Sequence, residues 1–193
     1  MSIIHISVWS LIFIVSASAQ VQMQYESSEQ FPFGQLNPDA PTQTADFDPM
    51  IGLCDCKSVS RNQDGTWADT LEMVWKFKYI MNGYGVQDEV WRDQNLFAGS
   101  IRQFHQDSGM WVVSYYSFPS VPFKPGVWHG NKDQNQIVLY KDQKAPNGME
   151  GDSRLTFFDM DKTKGFKWKG EWVSKNREIV YPFWQIFCTK RQT

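Results

Sequence analysis

The sequence predicts an all-β chain, a single antiparallel up-and-down β-barrel of about ten strands, and three observations carry that reading. Short aromatic and β-branched runs are separated at regular intervals by Gly, Asn and Asp clusters. Within the runs, apolar and charged residues alternate with a period of two. No stretch of about 10–15 residues repeats with a helical period, which leaves no crossover helix to join parallel strands. Hairpin-linked strands with no helix to cover a sheet must close on themselves or stack in two layers. Closure removes exposed edges, and the steady hairpin rhythm favours the barrel.

In chain order, the first element is an address. The chain has 193 residues, room for one domain. Ile6 to Val15 form a mostly apolar run, too short to cross a bilayer, and Ala17-Ser18-Ala19 then places small residues where signal peptidase requires them. No Lys or Arg precedes the run. Residues 1–19 are read as a signal peptide, so the mature chain is expected in the periplasm or secreted, with no integral membrane segment left. Residues 20–46 are rich in Gln, Ser and Glu, carry Pro32, Pro38 and Pro41, and hold no period for long, so they read as a flexible lead-in. The barrel domain is expected over 47–193.

Within that domain the turns are drawn at Asn62-Gln63-Asp64-Gly65, Met81-Asn82-Gly83, Asp107-Ser108-Gly109, Pro146-Asn147-Gly148 and Lys162-Thr163-Lys164-Gly165, each with Gly where positive φ is wanted. The strands between them run near 50–60, 70–80, 84–92, 97–106, 110–118, 126–130, 135–143, 153–160, 165–175 and 179–191. The clearest alternation sets Phe166, Trp168, Gly170 and Trp172 against Lys167, Lys169 and Glu171. A second sets Met73, Trp75, Phe77 and Tyr79 against Glu72, Lys76 and Lys78. Such strands have one dry face and one wet face.

Composition excludes several functions. Nineteen basic against 21 acidic residues, net −2, leave no electrostatic footprint for nucleic acid. Nine Trp and 16% aromatics are far too many for a disordered chain. There is no G-x-S-x-G elbow, P-loop, H-E-x-x-H or dinucleotide fingerprint. Asp159-Met160-Asp161-Lys162-Thr163 imitates the opening of haloacid-dehalogenase phosphotransferases, but too little chain follows it for that fold, and a hairpin end rich in turn formers explains it. No metal site and no cofactor is expected. His129 is better placed than His105 to hold a haem iron from one side, though an ordinary exposed or hydrogen-bonded histidine is the simpler reading.

Polar residues inside aromatic strands are more informative. Asp88 alternates with Val86 and Val90, and Arg102 with Ser100 and Phe104; an Asp and an Arg inside one barrel must pair, because an isolated buried charge is costly. In strand 84–92, Gln87, Glu89 and Trp91 make an equally legible face. The candidate ligand-binding set is Trp75, Tyr79, Asp88, Arg102, Trp111, Tyr115, Trp168 and Trp172, with Trp184 in the same aromatic stripe. A packed core explains the stripe through burial alone; a ten-strand barrel is also wide enough to leave space inside.

Several short segments are similar to a known family. Phe47-Asp48-Pro49-Met50-Ile51-Gly52-Leu53-Cys54, Trp75, Val86-Gln87-Asp88 with Trp91, Gly99-Ser100-Ile101-Arg102-Gln103-Phe104, Gly109-Met110-Trp111-Val112-Val113, Phe166-Lys167-Trp168 with Ser174, and the closing Arg191 together resemble a lipocalin-like (calycin-type) β-barrel family of uncharacterised, often bacterial, proteins. The resemblance implies a Gly-x-Trp opening whose Trp plugs one end beneath a basic residue of the last strand. Here Gly52-Leu53-Cys54 puts Cys where the Trp belongs, with Arg191 left as the basic partner.

Cys54 and Cys56 face the same side of the first strand, and Cys188 lies in the last strand, which a closed meander pairs with the first. Export permits a disulfide, so Cys188 is expected to bridge to either Cys54 or Cys56. The function expected is non-covalent binding or carriage of a small, partly apolar molecule inside the barrel. Two alternatives stand beside it: an enzyme using the same cavity, with Asp88 as acid/base and Arg102 as electrostatic stabiliser, and an interaction module with a filled barrel.

Overall fold

The computed structural model describes residues 23–118 and 124–192; the signal-peptide reading of residues 1–19 lies outside them. Ten strands follow one another: β1 (Gly52–Ser60), β2 (Leu71–Ile80), β3 (Gly85–Arg92), β4 (Asn95–His105), β5 (Met110–Ser117), β6 (Gly126–Asp133), β7 (Gln136–Asp142), β8 (Gly151–Asp161), β9 (Gly165–Ser174) and β10 (Val180–Lys190). Each pairs antiparallel with its sequence neighbours, and β1 pairs with both β2 and β10, which closes the sheet into an up-and-down barrel.

The turns set these bounds. Between β2 and β3, Met81, Asn82 and Gly83 all take positive φ (55°, 51° and 82°). Between β3 and β4, Asp93 and Gln94 are consecutive left-handed residues (φ 47° and 64°), as a two-residue type I′ turn requires, with no Gly to mark it. A bulge between Pro182 and Trp184 accommodates the proline's missing N–H.

One element was not visible as periodicity. Thr42–Met50 forms a 3₁₀ segment that closes one end of the barrel. Phe47 and Met50 are fully buried there. The Phe47 ring stands edge-on to Trp111 at 4.7 Å and to Phe157 at 5.9 Å. Polar bonds hold the segment at its flanks: the Trp111 indole N–H donates to Asp46 (3.1 Å), the Tyr79 hydroxyl to Asp48 (3.2 Å), and Lys190 Nζ to the carbonyls of Pro49 (3.3 Å) and Ile51.

The lead-in before it is not a free tether, as its composition suggested. The Tyr79 amide donates to the Phe33 carbonyl at 2.8 Å, and Asn37 Nδ2 to the Asn82 carbonyl at 3.0 Å. At Gly83 the crossing is so close that a Cβ would lie 2.5 Å from the Asn37 nitrogen. Residues 25–37 are thereby strapped across the β2–β3 hairpin.

The seam between first and last strands is covalent. Cys56 and Cys188 are directly opposite in the β1–β10 register and form a disulfide; Cys54 is a free, buried thiol. Of the two partners left open by the sequence, register selects Cys56. The bridge closes 132 residues of chain, which in the chain-entropy picture contributes about 4–5 kcal/mol. Outside the same seam, Arg191 makes a bidentate pair with Asp55 (Nε–Oδ2 2.9 Å, Nη2–Oδ1 2.6 Å). Arg191 therefore does not cap a tryptophan at the barrel end. The basic residue of the last strand that reaches the closed end is Lys190, whose ammonium is bound to the plug's carbonyls.

Candidate functional site

Alternation along the strands decides what faces inward. Met73, Trp75, Phe77 and Tyr79 on β2 are all buried. On β3 the ambiguity resolves in favour of Val86 and Asp88: both are buried, while Glu89 lies on the outer wall between Lys76 (3.4 Å) and Lys78 (3.5 Å). Cross-strand register then builds two interior rows. One runs Phe77, Asp88, Ser100, Tyr115; the other runs Tyr79, Val86, Arg102, Val113, Trp128.

Where these rows meet, Asp88 and Arg102, each 2% exposed, form a salt bridge through Arg102 Nη1 and Asp88 Oδ1. The other carboxylate oxygen accepts the Trp75 indole N–H at 2.6 Å. The guanidinium lies among three aromatic rings, Phe77, Phe47 and Phe157, at 5.0, 5.1 and 5.6 Å from their centroids. Two charges are thus taken out of water together, which is tolerable only because each offsets the other and the carboxylate has a further donor. Arg102 Nε keeps no partner among the described residues.

Above this pair the barrel holds a cavity of about 470 Å³. Its walls are largely apolar, including Met73, Trp75, Leu139, Phe157, Trp168 and Trp184, and its polar groups are few: Asp88, Arg102, Ser100, Tyr115, Ser58 and Ser153 among them. Two serines are already engaged by wall tryptophans, Ser58 by Trp184 (2.7 Å) and Ser153 by Trp128 (3.3 Å). Burial, and then the nearby Asp88 charge, pushes the Tyr115 phenol above its ordinary range. The cavity extends to the end opposite the plug, where Ser60, Leu71, Arg92, Phe97, Gln143 and Phe183 border it.

Five of the eight candidate residues, Trp75, Asp88, Arg102, Tyr115 and Trp168, line this cavity. The other three face inward but lie elsewhere. Tyr79 and Trp111 belong to the closed end, spent on Asp48 and Asp46; burial, followed by the Asp48 charge, pushes the Tyr79 phenol far up. Trp172 sits under the β7–β8 loop and donates to the Gln143 carbonyl at 2.9 Å. Trp184, read in the same aromatic stripe, also lines the cavity, while Trp128 and Phe183 are wall residues outside the candidate set. Trp128 was signalled by its alternation with Gly126 and Gly130. Phe183 was not, since only the β10 bulge lets it and Trp184 both reach the cavity.

His129 lies on the outer face and is exposed, so it cannot hold a group inside the barrel. His105 is occupied in its own hairpin, where its Nδ1 contacts the Ser108 hydroxyl at 3.0 Å. The Asp-x-Asp-x-Thr segment is a turn: Asp161 Oδ1 accepts from the Thr163 amide (2.8 Å), the Thr163 hydroxyl (2.7 Å) and the Lys164 amide (2.9 Å). These bonds, the Thr163 hydroxyl first, bring its carboxyl down to about 2.

No protein-family model and no curated protein matches the chain. Among solved structures, the barrel is similar to the crystal structure of Rv2717c from M. tuberculosis, with a TM-score of 0.50 and 8% sequence identity over 80% of this chain and 100% of that one. At that identity the likeness is one of fold.

Proposed function

We propose that this chain binds a small, partly apolar molecule non-covalently inside the barrel. The observation that carries the reading is the cavity of about 470 Å³, plugged at one end and bordered by loops at the other, with aromatic walls and a few converging polar groups. That is the usual layout of a small-molecule site. It argues against an interaction module built on a filled barrel. Asp88 lines the cavity, but both its oxygens are already engaged, by Arg102 and Trp75. A carboxylate so committed suits anchoring and shaping the floor better than shuttling protons. The closed up-and-down topology supports the lipocalin-like resemblance, and the Cys56–Cys188 disulfide supports export to an oxidising compartment.

The test is mass spectrometry of organic extracts from the protein purified out of its own source. An apolar small molecule recovered in near-stoichiometric amount is expected. Extracts holding nothing of the kind, together with tryptophan fluorescence indifferent to added apolar molecules, would overturn the reading.

A further inference from the structure

Charge is distributed unevenly along the cavity. At the floor, Asp88 and Arg102 cancel, and the Asp88 field reaches as far as Tyr115. An incoming anion there meets a carboxylate; the floor accepts apolar or neutral groups. At the mouth the balance differs. Arg92 borders the cavity with its guanidinium over the Phe97 ring (4.9 Å), and it has no acidic partner among the described residues. Lys141 occupies the inward-facing parity of β7, between the wall residues Leu139 and Gln143, opposite Ser153 on β8. Its ammonium lies 4.3 Å from the centroid of Trp128, a wall residue, and it too has no acidic partner among the described residues. Burial alone lowers its pKa.

Arg61 at the same end also lacks an acidic partner among the described residues, but it lies over Trp67 and Tyr181 and does not border the cavity, and three other cations there are paired. Lys144 is paired with Glu150 (2.5 Å), Lys175 with Asp152 (2.7 Å), and Arg177 with Asp152 (2.8 Å). A half-buried ammonium without a counter-charge is unfavourable unless something supplies one. We infer that the ligand is an amphipathic anion, its apolar body lying on the Trp75, Phe157 and Trp168 floor and its acidic head at the mouth between Arg92 and Lys141. The inference rests on the cavity reading above and adds the chemistry of the head group. Carboxylate and phosphate heads both meet the requirement, and matched probes separate them.

The experiment uses the chain with its disulfide intact and reads quenching of the wall tryptophans during titration with dodecanoate, dodecyl phosphate, dodecanol and dodecyltrimethylammonium. One or both anions are expected to bind about tenfold or more tightly than dodecanol, with the cation weakest. Their ranking identifies the head. In an Arg92→Gln/Lys141→Gln double variant, anion affinity is expected to fall about tenfold or more, and dodecanol affinity by several-fold less than that. Neither residue is ion-paired, so the variant is expected to fold and to lose only the small contribution of its ring contacts in melting temperature. Equal binding of anions and dodecanol, or an equal loss for both in the variant, overturns the head-group assignment and leaves the cavity reading standing. Failure of all four probes overturns the head-group assignment, and failure of all four together with empty organic extracts overturns the cavity reading as well.

Discussion

The two ends of this barrel are built from the same strands and the same alternation, yet one is solid and the other hollow. At the closed end, Phe47, Met50, Phe77, Trp111, Phe157 and Phe166 are buried to 2% exposure or less, and the aromatic side chains among them meet ring to ring. At the other end, Leu71 (44%), which borders the cavity, Phe118 (61%) and Ile179 (49%) stand exposed. The difference does not come from the barrel wall. It comes from a segment outside the wall, Thr42–Met50, which brings two large apolar side chains to one end. A ten-strand barrel is too wide for its own side chains to fill throughout. The site is where the filler stops.

Removing closed-end contacts should therefore cost stability, and changing mouth contacts should cost binding alone. The largest effect is expected at the charged floor. Asp88→Ala leaves Arg102 buried without its counter-charge and should lose about 3–5 kcal/mol in urea denaturation. An Asp88→Leu/Arg102→Met double variant, which removes both charges, should be distinctly more stable than Asp88→Ala. A double variant no better than the single would show that the pair is needed as a pair. Phe47→Ala empties the plug and should also lose about 3–5 kcal/mol. Cys188→Ser should lose about 2–5 kcal/mol, with the same loss in the parent under reductant.

At the hollow end, Ala98→Leu projects into free space. It should change stability by less than about 1 kcal/mol while weakening uptake of any apolar probe, as read by tryptophan fluorescence. The smallest effect belongs to the β8–β9 turn. Asp161 has a depressed folded-state pKa, so its contribution is complete above the ordinary carboxylate value of 3.8 and disappears as pH falls through about 2. Melting temperatures of the parent and Asp161→Ala should converge at the acid end of that window and separate above it.

The strands were legible because five of the turns carry a marking Gly and the walls alternate with a period of two, whereas Asp93-Gln94 turns without a Gly. Inward and outward follow from alternation, and Trp75, Asp88, Arg102, Tyr115 and Trp168 were found that way. Height along the barrel axis does not follow from it. Tyr79 and Trp111 share the inward parity but sit at the plugged end, and a period of two has no term for that. The choice between Cys54 and Cys56 was hidden for a related reason. It depends on the β1–β10 register, which the stagger of the whole closed sheet sets and no local signal specifies. The plug escaped because a short 3₁₀ turn offers no sustained repeat to read.

The sulfur link between the outermost strands has a consequence for breakage. Every loop from β1 round to β10 lies between Cys56 and Cys188. A protease that cuts any single one of those nine connections produces two pieces still fastened to each other, whereas a second cut frees the stretch between the two cuts from every covalent link. After one such cut, the two pieces part on a denaturing gel only when a reducing agent is added.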